Sequence, residues 1–412
     1  MSNPPCYDFG KNIIIMNAET TQNVSESSNP IHLVPPDPEP WPEPVNGQEL
    51  LDALAATFAR FVILPPLAGD ALALWALHTY AFQLRDVACY LGLESPEKRC
   101  GKTTLLGVLC RLVNRPIVAA NISPPAFFRV IKEVQPTLLI DEADTFVRGN
   151  EKLRGILNSG YSRTTAFVVR AGPQRANGEA ANLRTFSCWC PKALAAIGRL
   201  PDTLADRCII IVMQRKRSEE KCDRLRQLDA SILRRQCARF ILDHRDAIAV
   251  AHPRLPEEMH DRAGEIWEPL FALADLAGGY WPERARRAAI DLTERAQETS
   301  PIGCLFFSVA SVFALQHADQ LFTRQLVEGL NQLPHYFWRR TMHGKDMTER
   351  MLAQLLRPYG ISPSVLVIQD QRARGYKEQD FLDPMRRYIS VSQARALAEE
   401  ILPSRTPSEF QE

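Results

Sequence analysis

The sequence predicts an α/β fold built on a mostly parallel sheet, followed by a helical region and a small α+β unit. Three observations predict it. Short apolar runs alternate with stretches of helical period through the first half of the chain. One helical stretch opens on Gly101-Lys102-Thr103. Further on, the apolar run Thr137-Leu138-Leu139-Ile140 ends in Asp141-Glu142, the pattern of a buried parallel strand that delivers carboxylates at its C-terminal end.

The elements follow in order. Residues 1–46 carry Asn, Ser and Thr and then Pro35-Pro36-Asp37-Pro38-Glu39-Pro40, too little apolar surface to offset ordering, so a disordered tail is expected. From Gly47, Leu50, Leu51, Leu54, Phe58 and Phe61 share one helical face. A second helix is expected from about Gly69 to Phe82, then a strand at Val87 to Leu93, then a helix from Thr103 to Val113. Ile117 to Ala120 reads as a short strand. Ser123-Pro124-Pro125 starts a helix, with Ser123 as cap and Pro124 in its first position. Leu138 to Asp141 is the next strand and Leu153 to Gly160 a helix. Two apolar arms, Phe167-Val168-Val169 and Leu183-Arg184-Thr185-Phe186, flank a polar tip containing Asn177-Gly178 and predict a hairpin over 166–186. Strands recur at Thr185–Trp189 and Ile209–Met213.

After Gln214 the pattern turns helical. Arg215-Lys216-Arg217 opens a basic stretch that continues through Lys221, Arg224, Arg226, Arg234, Arg235 and Arg239, and it reads as a solvated helix face before a nucleic-acid contact. Trp267 to Arg287 is expected to form a compact helical subdomain. A third unit starts near Gln320, with helices Thr323–Leu333 and Thr348–Leu356, a turn at Gly360 and two strand-like runs around Arg372 to Tyr376.

Composition narrows the classes. A net charge of +1 over 412 residues excludes a polycation, so any nucleic-acid contact must come from local patches. The ten cysteines are scattered without paired C-x-x-C knuckles, which argues against a zinc ribbon and a secreted disulfide scaffold. Phe61 to Leu77 is apolar but broken by Pro65, Pro66 and Asp70, so it reads as core. With no signal peptide at Met1, the cytoplasm is the expected compartment and no membrane partner is expected.

Gly101-Lys102-Thr103 has the working end of a phosphate-binding loop. Backbone N–H groups of Cys100, Gly101, Lys102, Thr103 and Thr104 can surround phosphate oxygens, Lys102 can reach the β- and γ-phosphates, and the Thr103 hydroxyl can ligate Mg²⁺. Asp141 would hold Mg²⁺ and Glu142 would polarise the attacking water, so ATP and Mg²⁺ are the expected ligands. The loop departs from the usual pattern at Pro96, where a glycine would open it; proline removes a donor and fixes φ there.

These motifs resemble the AAA+ division of P-loop ATPases, and more narrowly an uncharacterised domain family of phage, plasmid and genomic-island replication ATPases, sometimes fused to primases. The resemblance covers roughly Leu50 to Tyr388. It rests on Ser95-Pro96-Glu97-Lys98-Arg99-Cys100-Gly101-Lys102-Thr103, on Pro136-Thr137-Leu138-Leu139-Ile140-Asp141-Glu142-Ala143-Asp144 and on Leu200-Pro201-Asp202-Thr203-Leu204-Ala205-Asp206-Arg207. It implies an arginine finger at Arg207, offered to a neighbouring subunit, with pairing of Arg207 to Asp202 or Asp206 as the bland alternative. It also implies a sensor 1 at Lys192 or Ser187 and a sensor 2 at Arg284 or Arg287. The C-terminal unit resembles a winged helix whose wing is Asp370 to Lys377. Arg372, Arg374, Tyr376 and Lys377 there, with Arg170 and Arg175 of the hairpin, are the candidate DNA contacts.

The resemblance divides the chain into a tail at 1–46, an AAA+ core at 47–214, a helical lid at 215–319, a winged-helix-like domain at 320–390 and a second tail at 391–412. It implies a homo-oligomeric ring, with a hexamer as the expected count, acting on single-stranded or duplex DNA as a mobile-element helicase or initiator beside a separate primase. The alternatives are an ATP-dependent DNA-binding switch or loader, and an AAA+ protein remodeller.

Overall fold

The computed structural model describes residues 35–390 and 393, apart from 120–123, 148–150, 172–182, 299 and 334–345. Two helices come first, α1 (Gly47–Phe61) and α2 (Ala68–Ala81). The Asn46 side chain caps α1 by accepting the Glu49 N–H at 3.1 Å. Helix α2 is buried around nearly its whole circumference, so it needs partners on every side.

The sheet and its connections follow: β1 (Tyr90–Ser95), α3 (Lys102–Leu112), β2 (Pro116–Ala119), α4 (Pro124–Val134), β3 (Thr137–Ile140), α5 (Ala143–Val147) and α6 (Glu151–Ser159). A hairpin of β4 (Phe167–Ala171) and β5 (Leu183–Ser187) precedes β6 (Lys192–Ile197), α7 (Asp202–Ala205) and β7 (Cys208–Val212). The five core strands are parallel, in the order β2-β3-β6-β1-β7.

Alternation along these strands builds two cores. Leu91, Leu93, Leu139, Ala193, Ala195, Ile209 and Ile211 face one layer, made of α1, α2 and α3. Tyr90, Leu138, Ile140, Leu194, Ala196, Cys208 and Ile210 face the other, with α4, α6 and α7. The hairpin stands outside the sheet, its arms paired from Phe167↔Ser187 to Ala171↔Leu183. The expected strand Thr185–Trp189 is therefore not a core strand. That place belongs to β6, whose Ala193-Leu194-Ala195-Ala196 run lacks the β-branched residues that mark strands in sequence.

The first part of the expected basic helical stretch, 214–230, is irregular backbone with one short turn at Leu225–Gln227, whereas its last arginines, Arg234, Arg235 and Arg239, are on a helix. The irregular part is held by the Arg60–Asp223 ion pair and by Arg111 Nη1, which donates to the Leu225 carbonyl at 2.9 Å. Helices α8 (Ser231–Asp243), α9 (Arg245–Val250), α10 (Asp261–Ala277) and α11 (Trp281–Glu298) come next. Phe240, Leu270, Phe271, Trp281, Ala285 and Ala289 join the core around α2, so these helices complete that layer and do not form a separate lid.

A third core begins at α12 (Pro301–Leu315), upstream of the expected boundary at 320. It continues through β8 (Gln320–Phe322), α13 (Thr323–Gln332), α14 (Glu349–Leu356), β9 (Ser364–Ile368), β10 (Gln371–Lys377) and α15 (Leu382–Tyr388). The three strands form an antiparallel sheet in the order β8-β10-β9 over Phe306, Phe313, Leu330, Leu356, Tyr376 and Phe381.

Residues 35–41, expected to be part of a disordered tail, lie against the body as a strap. Asp37 pairs with Arg115 at 2.5 Å, Trp41 N–H donates to the Arg235 carbonyl at 3.0 Å, and the Arg235 guanidinium lies over the Trp41 ring. Arg239 donates to the Pro42 carbonyl at 2.9 Å. Charge pairing and one tryptophan supply what apolar area does not. Residues 1–34 and the remaining expected tail, 391–412 apart from Gln393, lie outside the described residues.

Inside α2, the fully buried His78 accepts the Cys89 N–H on Nε2 at 3.2 Å, which requires that nitrogen to be unprotonated. Burial, aided by the nearby Arg85 charge, pushes its pKa down to about 3. The native state therefore holds His78 neutral while the unfolded chain takes a proton below about pH 6.5. Stability from this group is full above that pH and declines as pH falls toward about 3. Urea titrations should show a loss of about 2 kcal/mol from this group by pH 5, and His78→Gln, which keeps an acceptor but cannot protonate, should flatten that part of the slope.

Candidate functional site

Strand β1 leads into α3 in one layer, whereas β3 leads into α5 and α6 in the other. Connections that depart to opposite faces leave a crevice at the carboxyl ends of the strands. The segment from Ser95 to Thr104 crosses it. Arg99 and Gly101 both take positive φ, 68° and 86°, and Gly101 caps α3. These two left-handed residues fold the backbone back on itself so that the helix N-terminus opens into the crevice.

Lys102 is buried, and its Nζ donates to the Ser95 Oγ. The Thr103 hydroxyl donates to Asp141 Oδ2 at 3.0 Å. Asp141 stands just past β3, where its N–H donates to the Ala119 carbonyl at 3.3 Å. Its other carboxylate oxygen accepts the Glu142 N–H at 3.0 Å, and Glu142 takes φ 54° and is exposed. The two segments that stood apart in sequence thus close on each other across the end of β6.

Around them is a cleft of about 570 Å³. Cys100, Gly101, Lys102, Thr103, Thr104, Asp141 and Glu142 all line it. Sequence reading gave no role to Asp144, Gln214 or the Val62-Ile63 step, which line it too. Asp144 was within sight of the acidic pair; its Oδ1 accepts the Ile197 N–H at 3.2 Å and ties α5 to the end of β6. Gln214 and Val62-Ile63 carry no motif and are brought there by the fold. Among the described residues no cluster of three His, Cys, Asp or Glu side chains could hold a metal alone. A hydroxyl and one carboxylate nonetheless suit a hard cation that keeps waters and phosphate oxygens in its shell.

The remaining sequence candidates fall elsewhere. Arg207 precedes β7, whose first residue Cys208 is level with Tyr90 at the start of β1, so it lies at the opposite rim of the sheet from the cleft. It does not pair with Asp206, which faces Arg262 at 3.6 Å.

Lys192 is also at that far rim, level with Tyr90, fully buried. Its Nζ donates to the Tyr90 hydroxyl at 2.8 Å and to the carbonyls of Cys188 and Cys190 at 2.9 Å each. It cannot act as sensor 1, because the strand runs on from Lys192 to Ile197 before reaching the cleft. Ser187 ends the hairpin arm β5 and does not line the cleft either. Arg284 binds Asp70 through two nitrogens and also pairs with Asp52 at 3.4 Å, and neither it nor the exposed Arg287 lines the cleft. The lid on which sensor 2 was expected is part of the core.

Of the candidate DNA contacts, Arg170 sits on β4 by its backbone and Arg175 lies outside the described residues. Arg372 and Arg374 are exposed on β10, opposite the exposed Val367 and Val365. Most of the expected wing loop is in fact strand, with the turn confined to Gln369 and Asp370, both at positive φ. Lys377 is half-buried at the end of β10. Tyr376 is fully buried against Phe381, with ring centroids 5.7 Å apart, so it cannot stack on a base.

Residues 212–388 match the family described as a protein of unknown function, DUF3631, which is under half of the chain. The chain is 36% identical over 142 residues to an uncharacterized 28.9 kDa protein in the xis 5′ region of Saccharopolyspora erythraea, covering 34% of this chain. It spans about half, 52%, of that relative's length. Among solved structures, it is similar to the apo C-terminal region of NrS-1, with a TM-score of 0.39 and 10% identity over 82% of this chain and 79% of that one. It is also similar to a structure described as SCCmec type IV Cch, an active helicase, with a TM-score of 0.35 and 13% identity over 86% and 70%.

The Gly101 turn carries its own expectation. A Cβ there would meet nothing nearer than Met213 Cε at 3.5 Å, so only the φ of 86° opposes a side chain. Gly101→Ala should cost about 1–2 kcal/mol in chemical denaturation through backbone strain alone.

Proposed function

We propose that this chain is a P-loop ATPase of the AAA+ kind that uses MgATP to move or remodel DNA. The observation that carries the reading is the 3.0 Å Thr103–Asp141 hydrogen bond beside the buried Lys102, at the N-terminus of α3. Backbone N–H groups at that helix start favour phosphate, and Lys102 supplies a cation beside them. Thr103 and Asp141 would hold Mg²⁺, which neutralises phosphate charge when bound. The Glu142 carboxylate, exposed at the rim, would orient and polarise the attacking water.

Arg207 acts in this reading on the nucleotide of a neighbouring copy in a ring, a hexamer by analogy. Its place at the far rim of the sheet removes it from its own cleft and supports the trans role. The hairpin β4–β5 is the candidate DNA-gripping element, through Arg170 and Arg175. The order helix, strand, helix, helix, strand, strand from α12 to β10 is that of a winged helix, with Arg372 and Arg374 facing solvent on its hairpin. Val365 and Val367, exposed beside those arginines, favour a second reading. In it the wing docks a protein and the chain is an ATP-dependent switch or loader on DNA without translocation. ATPase rates with and without single-stranded DNA, run beside strand displacement, separate the two: stimulation with unwinding marks the motor, stimulation without it the switch.

Lys102→Ala should abolish nucleotide binding in an equilibrium assay, whereas Glu142→Gln should bind MgATP and not turn it over. Arg207→Ala should bind ATP and hydrolyse it slowly. Mixing the last two proteins should restore part of the activity, because some interfaces then combine an intact Glu142 with an intact Arg207. Normal turnover by Glu142→Gln would remove that residue from catalysis.

DNA contacts separate by salt. Arg372→Ala with Arg374→Ala should weaken duplex binding and lower the slope of log K against log salt by ~0.9 per lost phosphate contact. Arg170→Ala with Arg175→Ala should instead remove stimulation of the ATPase by single strands. Unchanged affinity, slope and stimulation in both variants would take nucleic acid out of the reading.

A further inference from the structure

An arginine that follows Asp202 and Asp206 in one short turn should find a carboxylate close by. Arg207 does not. Among the described residues no carboxylate lies within ion-pair distance of its guanidinium, whose Nη1 donates to the Thr203 carbonyl. Arg262, on α10, takes the acids instead, with Nε 3.6 Å from Asp206 and Nη1 2.8 Å from Glu265. Both arginines lie over one aromatic ring: the guanidinium carbons are 5.3 Å (Arg207) and 5.0 Å (Arg262) from the Tyr161 ring centre, within cation–π reach. Arg262 Nη1 also donates to the Tyr161 hydroxyl.

Tyr161 is itself fixed. The Ala88 N–H donates to its carbonyl at 2.8 Å, and the next residue, Ser162, bridges to Val87 on the approach to β1. The ring is therefore mounted on the sheet, and the cation over it inherits that position. A long arginine side chain loses much rotamer freedom when it is ordered; here the protein orders it before any partner arrives.

We propose that Tyr161 and Arg262 are positioning residues for Arg207: Tyr161 sets its direction, and Arg262 occupies Asp206 so that the Arg207 charge stays free for the γ-phosphate bound by a second copy of this chain. The proposal rests on the trans role given to Arg207 above. Neither residue touches the nucleotide. Their contribution is to orientation and to unpaired charge, both of which act on turnover and leave the cleft of the same copy unaltered.

The test is steady-state ATP hydrolysis by the full chain. Arg262→Gln releases Asp206 to pair with Arg207, so kcat should fall about ten-fold or more, a fraction of the ~10³–10⁵ ascribed to a whole finger, with KM little changed. Adding Asp206→Asn to Arg262→Gln should restore kcat, an outcome that a merely structural role for Arg262 does not give. Tyr161→Leu should also lower kcat, and Tyr161→Phe, which keeps the ring, should not. Unchanged kcat in Arg262→Gln, failure of Asp206→Asn to rescue, or equal kcat in the Leu and Phe variants overturns the proposal. Should Arg207→Ala itself hydrolyse ATP at the normal rate, the trans role fails and the proposal with it. Slow hydrolysis by Arg207→Ala beside normal hydrolysis by the Arg262 and Tyr161 variants removes the positioning role alone.

Discussion

A parallel sheet covered on both faces has room for polar chemistry only along its rims, and that constraint governs this molecule. The strands β1, β3, β6 and β7 spend their alternating side chains on two apolar layers. Groups that must stay charged are left to the strand ends, where the backbone turns. At one rim the turns gather Lys102, Thr103, Asp141 and Glu142; at the other they gather Arg207, Tyr161 and Arg262. A single copy does not bring the two sets together, since the length of its own strands stands between them. That separation supports the proposed reading in which neighbouring copies complete each other's sites.

Burial also explains which acidic and basic groups are unavailable. Glu94 lies inside β1, one residue before Ser95, with its Oε1 accepting the Leu200 N–H at 2.9 Å. Burial raises its pKa, opposed by that hydrogen bond and by Arg199. It holds the turn before α7 in place and is no candidate for catalysis. Asp70 and Lys192 are likewise committed, the first to Arg284 and the second to a ring of oxygens from Tyr90, Gly160, Cys188 and Cys190. A buried ion is tolerated only when its partners are complete, and these have little left to offer a ligand.

The part of the site written as contiguous motif was legible in the sequence. Gly101-Lys102-Thr103 needs a helix start and Asp141-Glu142 needs a strand end, and local pattern supplies both. Parts that depend on long-range packing were not. Lys192 looked like the end of a strand because the alanine run after it resembles helix as much as sheet; three-dimensional pairing with β1 and β3 decided the matter. Arg284 looked free because nothing near it in sequence announces Asp70 or Asp52 as its partners. Tyr376 sat in a basic run that promised exposure, yet it falls where β10 is paired with β8 and lies over Phe381, whereas Arg372 and Arg374, on the same face by alternation, pair with β9 alone toward the exposed end of the hairpin. The helices after Ser231 read correctly as helices, but where they dock was set by the all-round apolarity of α2.

The proline strap has a kinetic consequence. Its staples join Asp37 to Arg115 across 78 positions and Glu39 to Arg235 across 196. Closure cost grows only with the logarithm of loop length, so the longer span costs about 0.8 kcal/mol more than the shorter. Length is therefore a weak obstacle; the stronger one is that the strap's anchors are polar and ionic groups of distant segments, with Trp41 seated against Arg235. Its anchors become adjacent only after β2 and α8 have each docked on the body. It is a seal whose two anchor sites must both be in place before it can close.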